Sequence, residues 1–241
     1  MISTPRLVSV VLADETLRES ICRAIRVETH KAVPFGDGNA AVESTVRTPP
    51  DLAIVELGIQ GSDGAELCRR LRERSPTMAL ILVASREQAL DQAMSLGIRA
   101  DEYMAKPFSV REIVSRVKVL LRRIGLVPGA TYAWEDRPLT VGPLTVDPLR
   151  LTAHWNGQDV GLTVTEFFLL HALVRRTGVV KTREQLMQEA FPDHAASGDR
   201  LIDTHIARLQ QRFAPLEPRF DALEGVHDAG YRYRAGRAGT N

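Results

Sequence analysis

Short apolar segments and amphipathic segments alternate five times across the first 123 residues of the chain. The apolar segments are LVSVVLA (7–13), HKAVPF (30–35), DLAIVEL (51–57), ALILVAS (79–85) and ADEYMAKPF (100–108). Continuous apolar strands that alternate with helices predict a doubly wound α/β domain, in which a parallel sheet is covered by helices on both faces. Because ligands bind at the carboxyl ends of the strands in such a sheet, we expect a functional site of this half there.

The segments between the apolar runs carry the periodicity of amphipathic helices. They are TLRESICRAIRVE (16–28), AAVESTVR (40–47), GAELCRRLRER (64–74), QALDQAMSLG (88–97) and SVREIVSRVKVLLRR (109–123). The sequence therefore predicts a (βα)5 domain over residues 1–123. The next segment, IGLVPGATYAWEDR (124–137), contains Pro and Gly and has no periodicity, which is typical of a linker.

The pattern changes after residue 137. Residues 138–162 carry NG and DP turn signals between short apolar runs, which predicts antiparallel strands. Three helices follow, over TVTEFFLLHALV, TREQLMQEAF and DRLIDTHIARLQQRF (199–213), and the first two begin with capping boxes, Thr163 with Glu166 and Thr182 with Gln185. The tail FDALEGVHDAGYRYR (220–234) predicts a β-hairpin. Together these elements predict an α+β winged helix-turn-helix domain over 138–236.

The composition is typical of a globular protein but does not indicate which kind of molecule it binds. No apolar run approaches the roughly 18–20 residues of a membrane span, and the first residues do not resemble a signal peptide, so we expect a cytoplasmic protein with no membrane partner. The two cysteines, Cys22 and Cys68, are predicted to be buried thiols in a reducing compartment. The net charge is only +1, so a DNA-binding surface must come from a local concentration of positive charge.

Seven pieces of sequence, in a fixed order, carry a resemblance that spans almost the whole chain. They are PDLAIVEL, GSDGAELCRRLR, ADEYMAKPFSVREIVSRVKVLLRR, LTVTEFFLLHALV, REQLMQEAF, DRLIDTHIARLQQRF and GYRYR. Together they resemble the OmpR/PhoB family of response regulators of two-component systems. The resemblance implies a CheY-like receiver domain followed by a winged-helix DNA-binding domain, and hence a transcription regulator.

The family's receiver chemistry uses two acids after the first strand to hold Mg²⁺, an Asp after the third to accept a phosphoryl group, a Thr or Ser after the fourth and a Lys after the fifth. The corresponding positions here are Leu12, Ala13, Asp14, Glu56, Ala84 and Lys106. An alignment anchored on LRES (17–20) places Leu12 and Ala13 at the acid pair, and a shift of one residue restores Asp14 alone. Only Lys106 matches the family, so we expect a degenerate phosphorylation site that binds no metal.

Two interpretations of Glu56 remain open. In the first, its longer carboxylate pairs with Lys106 and mimics the phosphorylated state permanently. In the second, Glu56 only neutralises Lys106 in a site that has lost its chemistry, because an unpaired buried Lys would be costly. Ala84 favours the second interpretation, since it cannot hydrogen-bond a phosphoryl oxygen. Both predict a receiver domain whose output does not depend on phosphorylation.

The resemblance also implies a symmetric receiver interface formed by the fourth helix, the fifth strand and the fifth helix. The corresponding residues are Ala93, Leu96, Asp101, Glu102, Glu112, Val114, Arg116, Lys118 and Arg123. An alternative is that these charges form a solvated helix face. A two-fold interface of this kind would favour constitutive homodimers.

The helix DRLIDTHIARLQQRF is the predicted DNA-reading element. Four of its residues form an apolar core stripe, namely Ile202, Ile206, Leu209 and Phe213. The predicted DNA contacts are Arg200, Thr204, His205, Arg208 and Gln211 on this helix and Arg232 in the wing. Resemblance assigns Arg208 and Thr204 to bases, and Arg200 and His205 to backbone or nearby contacts. The alternatives are a packed core position for His205 and an Arg200–Asp203 ion pair.

The wing departs from the family's pattern. His227 and Asp228 replace the usual Arg-Gly, so we expect Arg232 and Arg234 to shift the DNA contact along the hairpin, while Tyr231 is expected to pack in the core. We read the chain as a phosphorylation-independent, dimeric regulator that binds promoter DNA, uses no cofactor and is not an enzyme. The alternatives are a conventional phosphoswitch with a minimal site, and a regulator that acts through protein contacts without specific DNA binding.

Overall fold

The computed structural model of the chain describes residues 4–61, 63–75, 78–86, 98–125, 137–190 and 200–235. The chain divides into two compact units, with the boundary after Gly125. Within the described residues, no helix is long and apolar enough to cross a membrane.

The first unit contains a five-stranded sheet in which all described pairings are parallel. Its strands are β1 (Leu7–Val11), β2 (Lys31–Phe35), β3 (Leu52–Glu56), β4 (Ala79–Ala84) and β5 (Glu102–Ala105). Their spatial order is β2-β1-β3-β4-β5. Every residue of the central strands β3 and β4 is buried, as the continuous apolar runs predict.

Helices connect these strands and begin at polar caps. They are α1 (Glu15–Val27), α2 (Gly38–Arg47), α3 (Gly64–Arg74) and α4 (Val110–Ile124). The caps are Asp14, Asp37 and Asp63 for the first three, and a capping box of Ser109 with Glu112 for α4. Helix α4 extends one residue into the segment predicted as a linker. The predicted helix over 88–97 and most of that linker, residues 126–136, lie outside the described residues.

The second unit begins with a four-stranded antiparallel sheet. Its strands are β6 (Leu139–Val141), β7 (Leu144–Asp147), β8 (Thr152–Trp155) and β9 (Gln158–Asp159). Three helices follow, α5 (Val164–Val174), α6 (Arg183–Ala190) and α7 (Arg200–Phe213), and then the hairpin of β10 (Leu223–Val226) and β11 (Gly230–Tyr233). This order of elements is a winged helix-turn-helix, which confirms the predicted fold class.

Both predicted capping boxes of this unit are present. At α5, Thr163 and Glu166 exchange side-chain to backbone hydrogen bonds, and Thr182 and Gln185 do the same at α6 with donor–acceptor distances of 2.9 and 3.1 Å. All residues of α5 are buried, so this helix forms the centre of the domain.

The wing hairpin is joined to the start of α6 by backbone pairing. Lys181 and Tyr231 exchange two backbone hydrogen bonds, of 2.8 and 2.9 Å. Gly230 adjoins this bridge with φ of +130°, and a Cβ atom built on it would lie 2.0 Å from the Lys181 carbonyl oxygen. Only glycine fits at this close approach of two backbones.

Candidate regulatory site and nucleic-acid interface

Glu56 lies at the carboxyl end of β3, and both of its carboxylate oxygens accept hydrogen bonds within the chain. The Lys106 ammonium donates to Oε1 at 2.5 Å, and the Ala13 backbone amide donates to Oε2 at 2.9 Å. Glu56 is buried while Lys106 is half-buried. The carboxylate therefore links the loops after β1 and β5 across the end of the sheet.

The positions around Glu56 provide few groups for family chemistry. Leu12 and Ala84 are fully buried and apolar. The Asp14 side chain accepts a hydrogen bond from the Leu17 amide at 2.9 Å and so caps α1. The shifted alignment makes Asp14 a metal-binding acid, but in the structure its carboxylate already has a structural role as the cap of α1.

Arg18 is a part of this edge that the sequence reasoning missed. From the first turn of α1, its guanidinium donates to the carbonyl oxygens of Leu12, at 2.6 Å, and Ala13, at 3.2 Å. No sequence signal distinguishes it from the other arginines on helix surfaces. Together with Lys106, it places a second cationic group at the carboxyl edge of the sheet.

A divalent cation of the Mg²⁺ class requires several oxygen ligands in near-octahedral arrangement. Among the described residues, no cluster of three or more His, Cys, Asp or Glu side chains comes together to hold a metal ion. The buried carboxylate of this edge, Glu56, faces an ammonium group and an amide N–H instead. The arrangement favours an internal ion pair over metal coordination.

Three of the residues predicted for the dimer interface are buried inside a single chain, which corrects that prediction. They are Asp101, Glu102 and Arg123. Asp101 is completely buried, and its Oδ2 accepts hydrogen bonds from the Arg72 guanidinium at 2.9 Å and from the Leu80 amide at 2.8 Å. A carboxylate in this position holds α3 against β4, so it cannot present its charge to a partner.

The remaining charges of the predicted interface also have partners within the chain. Arg116 pairs with Glu102 at 2.6 Å, Lys118 pairs with Glu28 at 2.6 Å, and Glu112 belongs to the α4 capping box. Burial raises the pKa of Glu102 above its usual range, although Arg116 and then Arg123 act in the opposite direction. Val114 is largely buried.

Two residues of the predicted interface, Ala93 and Leu96, lie outside the described residues. The described part of the chain therefore leaves only Glu112, Arg116 and Lys118 of the predicted set with side chains that reach solvent.

Helix α7 buries the predicted apolar stripe and directs a polar face outward. The stripe is buried along its length, with Ile202, Ile206, Leu209 and Phe213 each 0–1% exposed. On the outer side of the helix Thr204 is half-buried, and four residues are exposed, namely Asp203, Ala207, Gln210 and Gln211. The predicted positions of Thr204 and Gln211 on the outer face are consistent with this burial pattern. The side chain of Arg200 lies outside the described part of the chain.

Two of the residues predicted to contact DNA from α7 are buried. Arg208 is only 8% exposed, and His205 is 1% exposed, as its packed-core alternative predicts. Arg208 lies about 100° of helical rotation beyond Ala207, at the border of the buried face, where a long side chain can pack along the domain. Neither side chain is exposed to solvent on the outer face of α7.

Asp203 connects α7 with α6 and the wing. Its Oδ1 accepts hydrogen bonds from Arg183 Nε at 2.8 Å and from the Tyr231 hydroxyl at 2.7 Å. The Arg183 guanidinium also lies over the Tyr231 ring, 5.3 Å from its centroid. Tyr231 is therefore half-buried with a polar contact, which differs from its predicted core position. Asp203 pairs with Arg183, twenty positions earlier in the chain. The alternative Arg200–Asp203 pair involves a side chain outside the described residues.

The arginines of the wing hairpin are also paired with carboxylates. Arg232 Nε donates to Glu224 Oε2 at 2.6 Å across the two strands. Arg234 contacts the same Glu224 oxygen at 3.4 Å and Asp221 at 3.3 Å. At the tip, His227 and Asp228 lie 3.0 Å apart and are almost fully exposed.

The two cysteines are buried, as predicted. Burial raises the pKa of Cys22 to about 11 and that of Cys68 to about 12, so both thiols are protonated at neutral pH.

Comparison with known proteins agrees with this geometry. The family described as "Response regulator receiver domain" matches residues 8–118, and that described as "Transcriptional regulatory protein, C terminal" matches residues 157–233. A cysteine-to-serine mutant of RitR matches 96% of this chain and 100% of its own, with a TM-score of 0.78 and 17% identity, which shows the shared fold.

Two curated relatives match over nearly their whole length. The chain is 33% identical to the transcriptional regulatory protein BaeR of Escherichia coli O6:H1, over 97% of this chain and 94% of that one. It is 31% identical to the sensory transduction protein RegX3 of Mycolicibacterium smegmatis, over 93% and 97%.

A receiver domain followed by a winged-helix domain defines a transcriptional regulator with a DNA-binding output domain. The chain belongs to the OmpR/PhoB family of response regulators.

Proposed function

We propose that this response regulator controls transcription without phosphorylation of its receiver domain. The observation that carries the proposal is the engagement of both Glu56 oxygens, one by Lys106 and one by the Ala13 amide. An acceptor carboxylate must be free to attack phosphorus in line, and a small misplacement strongly reduces such a reaction. Glu56 is held by two donors and reaches one methylene further than the family's Asp.

The proposed receiver is a fixed module. Lys106 and the family's hydroxyl residue respond to a new phosphoryl charge, but Lys106 already contacts Glu56 and position 84 is an alanine. Both interpretations of Glu56, a permanent mimic and a neutralising partner, predict the same phosphate-independent output. Cys22 and Cys68 are buried, which does not favour a thiol switch at either residue.

Treatment of the full chain with Mg²⁺ and acetyl phosphate, or with beryllofluoride, is expected to leave its mass, oligomeric state and DNA affinity unchanged. The reason is that the described edge offers no cage of oxygens for the cation. Intact mass spectrometry and a DNA-binding titration measure the result. The matched variant is Glu56→Asp, which restores the acceptor but not the acid pair, and it is expected to remain unlabelled. A magnesium-dependent adduct that alters DNA binding of the unmodified chain would refute the proposal.

We also propose that the chain binds promoter DNA in the cytoplasm, with α7 in the major groove and the wing beside it. The outer face of α7 carries the half-buried Thr204 and the exposed Gln211, whose methyl and amide groups suit thymine and adenine edges. Arg183, Arg232 and Arg200 are the proposed phosphate contacts. The support is the burial pattern of α7 and the family's winged-helix output domain.

Homodimerisation on tandem half-sites is the remaining element of the proposal. It rests on family membership, because Asp101, Glu102 and Arg123 serve the interior of one chain. A receiver interface would use exposed charges of α4 such as Glu112 and Lys118. Sedimentation of the free chain and of its DNA complex tests this, and a complex containing one chain would refute it.

Selection of bound duplexes from a random pool is expected to enrich two copies of a half-site about 10–10.5 bp apart. The double variant Thr204→Ala/Gln211→Ala is expected to weaken binding to the selected site about tenfold or more, since a base contact contributes about 1–3 kcal/mol. Gln158→Ala, on the exposed strand β9, is the matched control and should bind like the unmodified chain. If no sequence is enriched, the regulator that acts only through protein contacts is the better interpretation.

A further inference from the structure

The arginines beside the proposed DNA-contacting face are held by carboxylates of the same domain. Arg183 is paired with Asp203, and Arg232 is paired with Glu224, each through its Nε atom. The four side chains are about one-third to one-half exposed, so solvent reaches every pair. The two carboxylates therefore place negative charge on the surface where phosphates would approach.

Each pair is a charge-assisted hydrogen bond that a phosphate would have to replace. The hydrogen bond from Arg232 lowers the pKa of Glu224, and the hydrogen bond to Asp203 raises the pKa of Arg183. A phosphate that takes one of these guanidinium groups must compete with the carboxylate for it. The gain from a phosphate contact at either arginine is therefore reduced by the loss of its contact with the carboxylate.

We infer that Asp203 and Glu224 determine DNA selectivity, because they occupy Arg183 and Arg232 until correct base contacts offset the exchange of carboxylate for phosphate. The inference rests on the DNA interface proposed above. On a wrong sequence no base contacts compensate, so the arginines stay with their internal partners. On the correct site, α7 and the wing are held against the duplex and the exchange proceeds.

The geometry allows a change of charge with little change of shape. Asp203→Asn keeps an oxygen that accepts from the Tyr231 hydroxyl, and Glu224→Gln keeps one that accepts from Arg232. The double variant D203N/E224Q adds two units of positive charge. A matched control is E66Q/E73Q on α3, where both exposed carboxylates pair with Arg69, because it adds the same net charge in the receiver domain.

The experiment measures the affinity of the full chain for its selected duplex and for a scrambled duplex, from about 50 to 300 mM KCl. For D203N/E224Q, the slope of log affinity against log salt on scrambled DNA is expected to steepen by about 0.9 for each arginine that gains a phosphate. Affinity for scrambled DNA should rise about tenfold at low salt, more than affinity for the selected duplex, so the ratio between the two falls. The control E66Q/E73Q should change neither slope nor ratio.

The outcomes separate this inference from the proposed function. If the unmodified chain prefers no duplex, the proposed function fails. If it does prefer its site but D203N/E224Q behaves like E66Q/E73Q, the inference is overturned. Should the double variant fold poorly by circular dichroism, Arg183→Gln and Arg232→Gln decide instead. Each is expected to leave scrambled-DNA binding nearly unchanged while weakening binding to the selected site with a shallower salt slope, and unchanged binding to both duplexes would overturn the inference.

Discussion

Replacing Gly230 with alanine is expected to displace the wing and to abolish preferential DNA binding. The added Cβ would lie 2.0 Å from the Lys181 carbonyl oxygen and 2.9 Å from the Thr182 Cα, and both are backbone atoms that cannot turn aside. The positive φ of +130° adds strain for any L-residue with a side chain. Overpacking and backbone strain together predict a loss of about 3 kcal/mol or more in the stability of this domain.

The functional consequence follows from the position of the bridge. Lys181 precedes α6 and Tyr231 contacts Asp203 of α7, so the wing, α6 and α7 are joined at this point. Separation of the hairpin removes one of the two proposed DNA-contacting elements, and we expect the affinity for the selected site to fall at least about tenfold. Fluorescence of Trp155, which contacts Phe213 and Phe220 edge-on, reports the folding of the domain.

Gly157→Ala is the matched control for this prediction. Gly157 also has a positive φ, of +82°, but a Cβ built there meets nothing within 4 Å. The Gly157→Ala variant should lose only about 1 kcal/mol of stability, from backbone strain, and should keep its DNA preference. Equal losses in Gly230→Ala and Gly157→Ala would contradict the role of the close backbone approach.

Asp101→Asn is expected to destabilise the receiver domain by about 3–5 kcal/mol, which is the usual cost of removing one partner of a buried ion pair. The Arg72 guanidinium would lose the buried carboxylate that it contacts at 2.9 Å, and its side chain is only 9% exposed. The Arg72 guanidinium and the Leu80 amide both donate to the same carboxylate oxygen. If the NH₂ group of the asparagine takes that position, it faces two donors, and if the amide oxygen takes it, both donors have a weaker acceptor.

Hydrogen exchange of peptides from β4 is the appropriate measurement. Trp155 belongs to the second unit, so its fluorescence is not suited to follow the receiver domain. Glu73→Gln is the control, because the Arg69–Glu73 pair is more than half exposed and such pairs contribute at most about 1 kcal/mol. If Asp101→Asn costs no more than this control, Asp101 is not a structural residue and its assignment to a dimer interface should be reconsidered.

Periodicity predicted most of the secondary structure. The five apolar runs became the five strands of the sheet, with the ends of each strand lying inside the predicted run, because a parallel strand covered on both faces must be apolar throughout. Capping boxes placed the starts of α5 and α6 correctly, since the bonds that close a box join residues only three apart. The apolar stripe of α7 was also correct, because it depends on the helical repeat alone.

Predictions that depended on the direction of a long charged side chain were less successful. Arg208 was expected to project outward and is buried, and Asp101 was expected at an interface and is completely buried. The partners of these groups come from other elements, as when Arg72 of α3 reaches Asp101 beside β5. A long side chain at the border of a helix face has several rotamers, and the neighbouring elements select among them.

The order of residues alone determined which segments form strands and helices and the two-domain fold, because each of these depends on residue identity or on neighbours a few positions apart. Tertiary structure decided which charges meet. Glu56 is engaged at both oxygens and Asp203 holds Arg183 only because the folded chain brings distant elements within hydrogen-bond distance. The physical reason is that an ion pair depends on the separation of its atoms in space, which local periodicity does not encode.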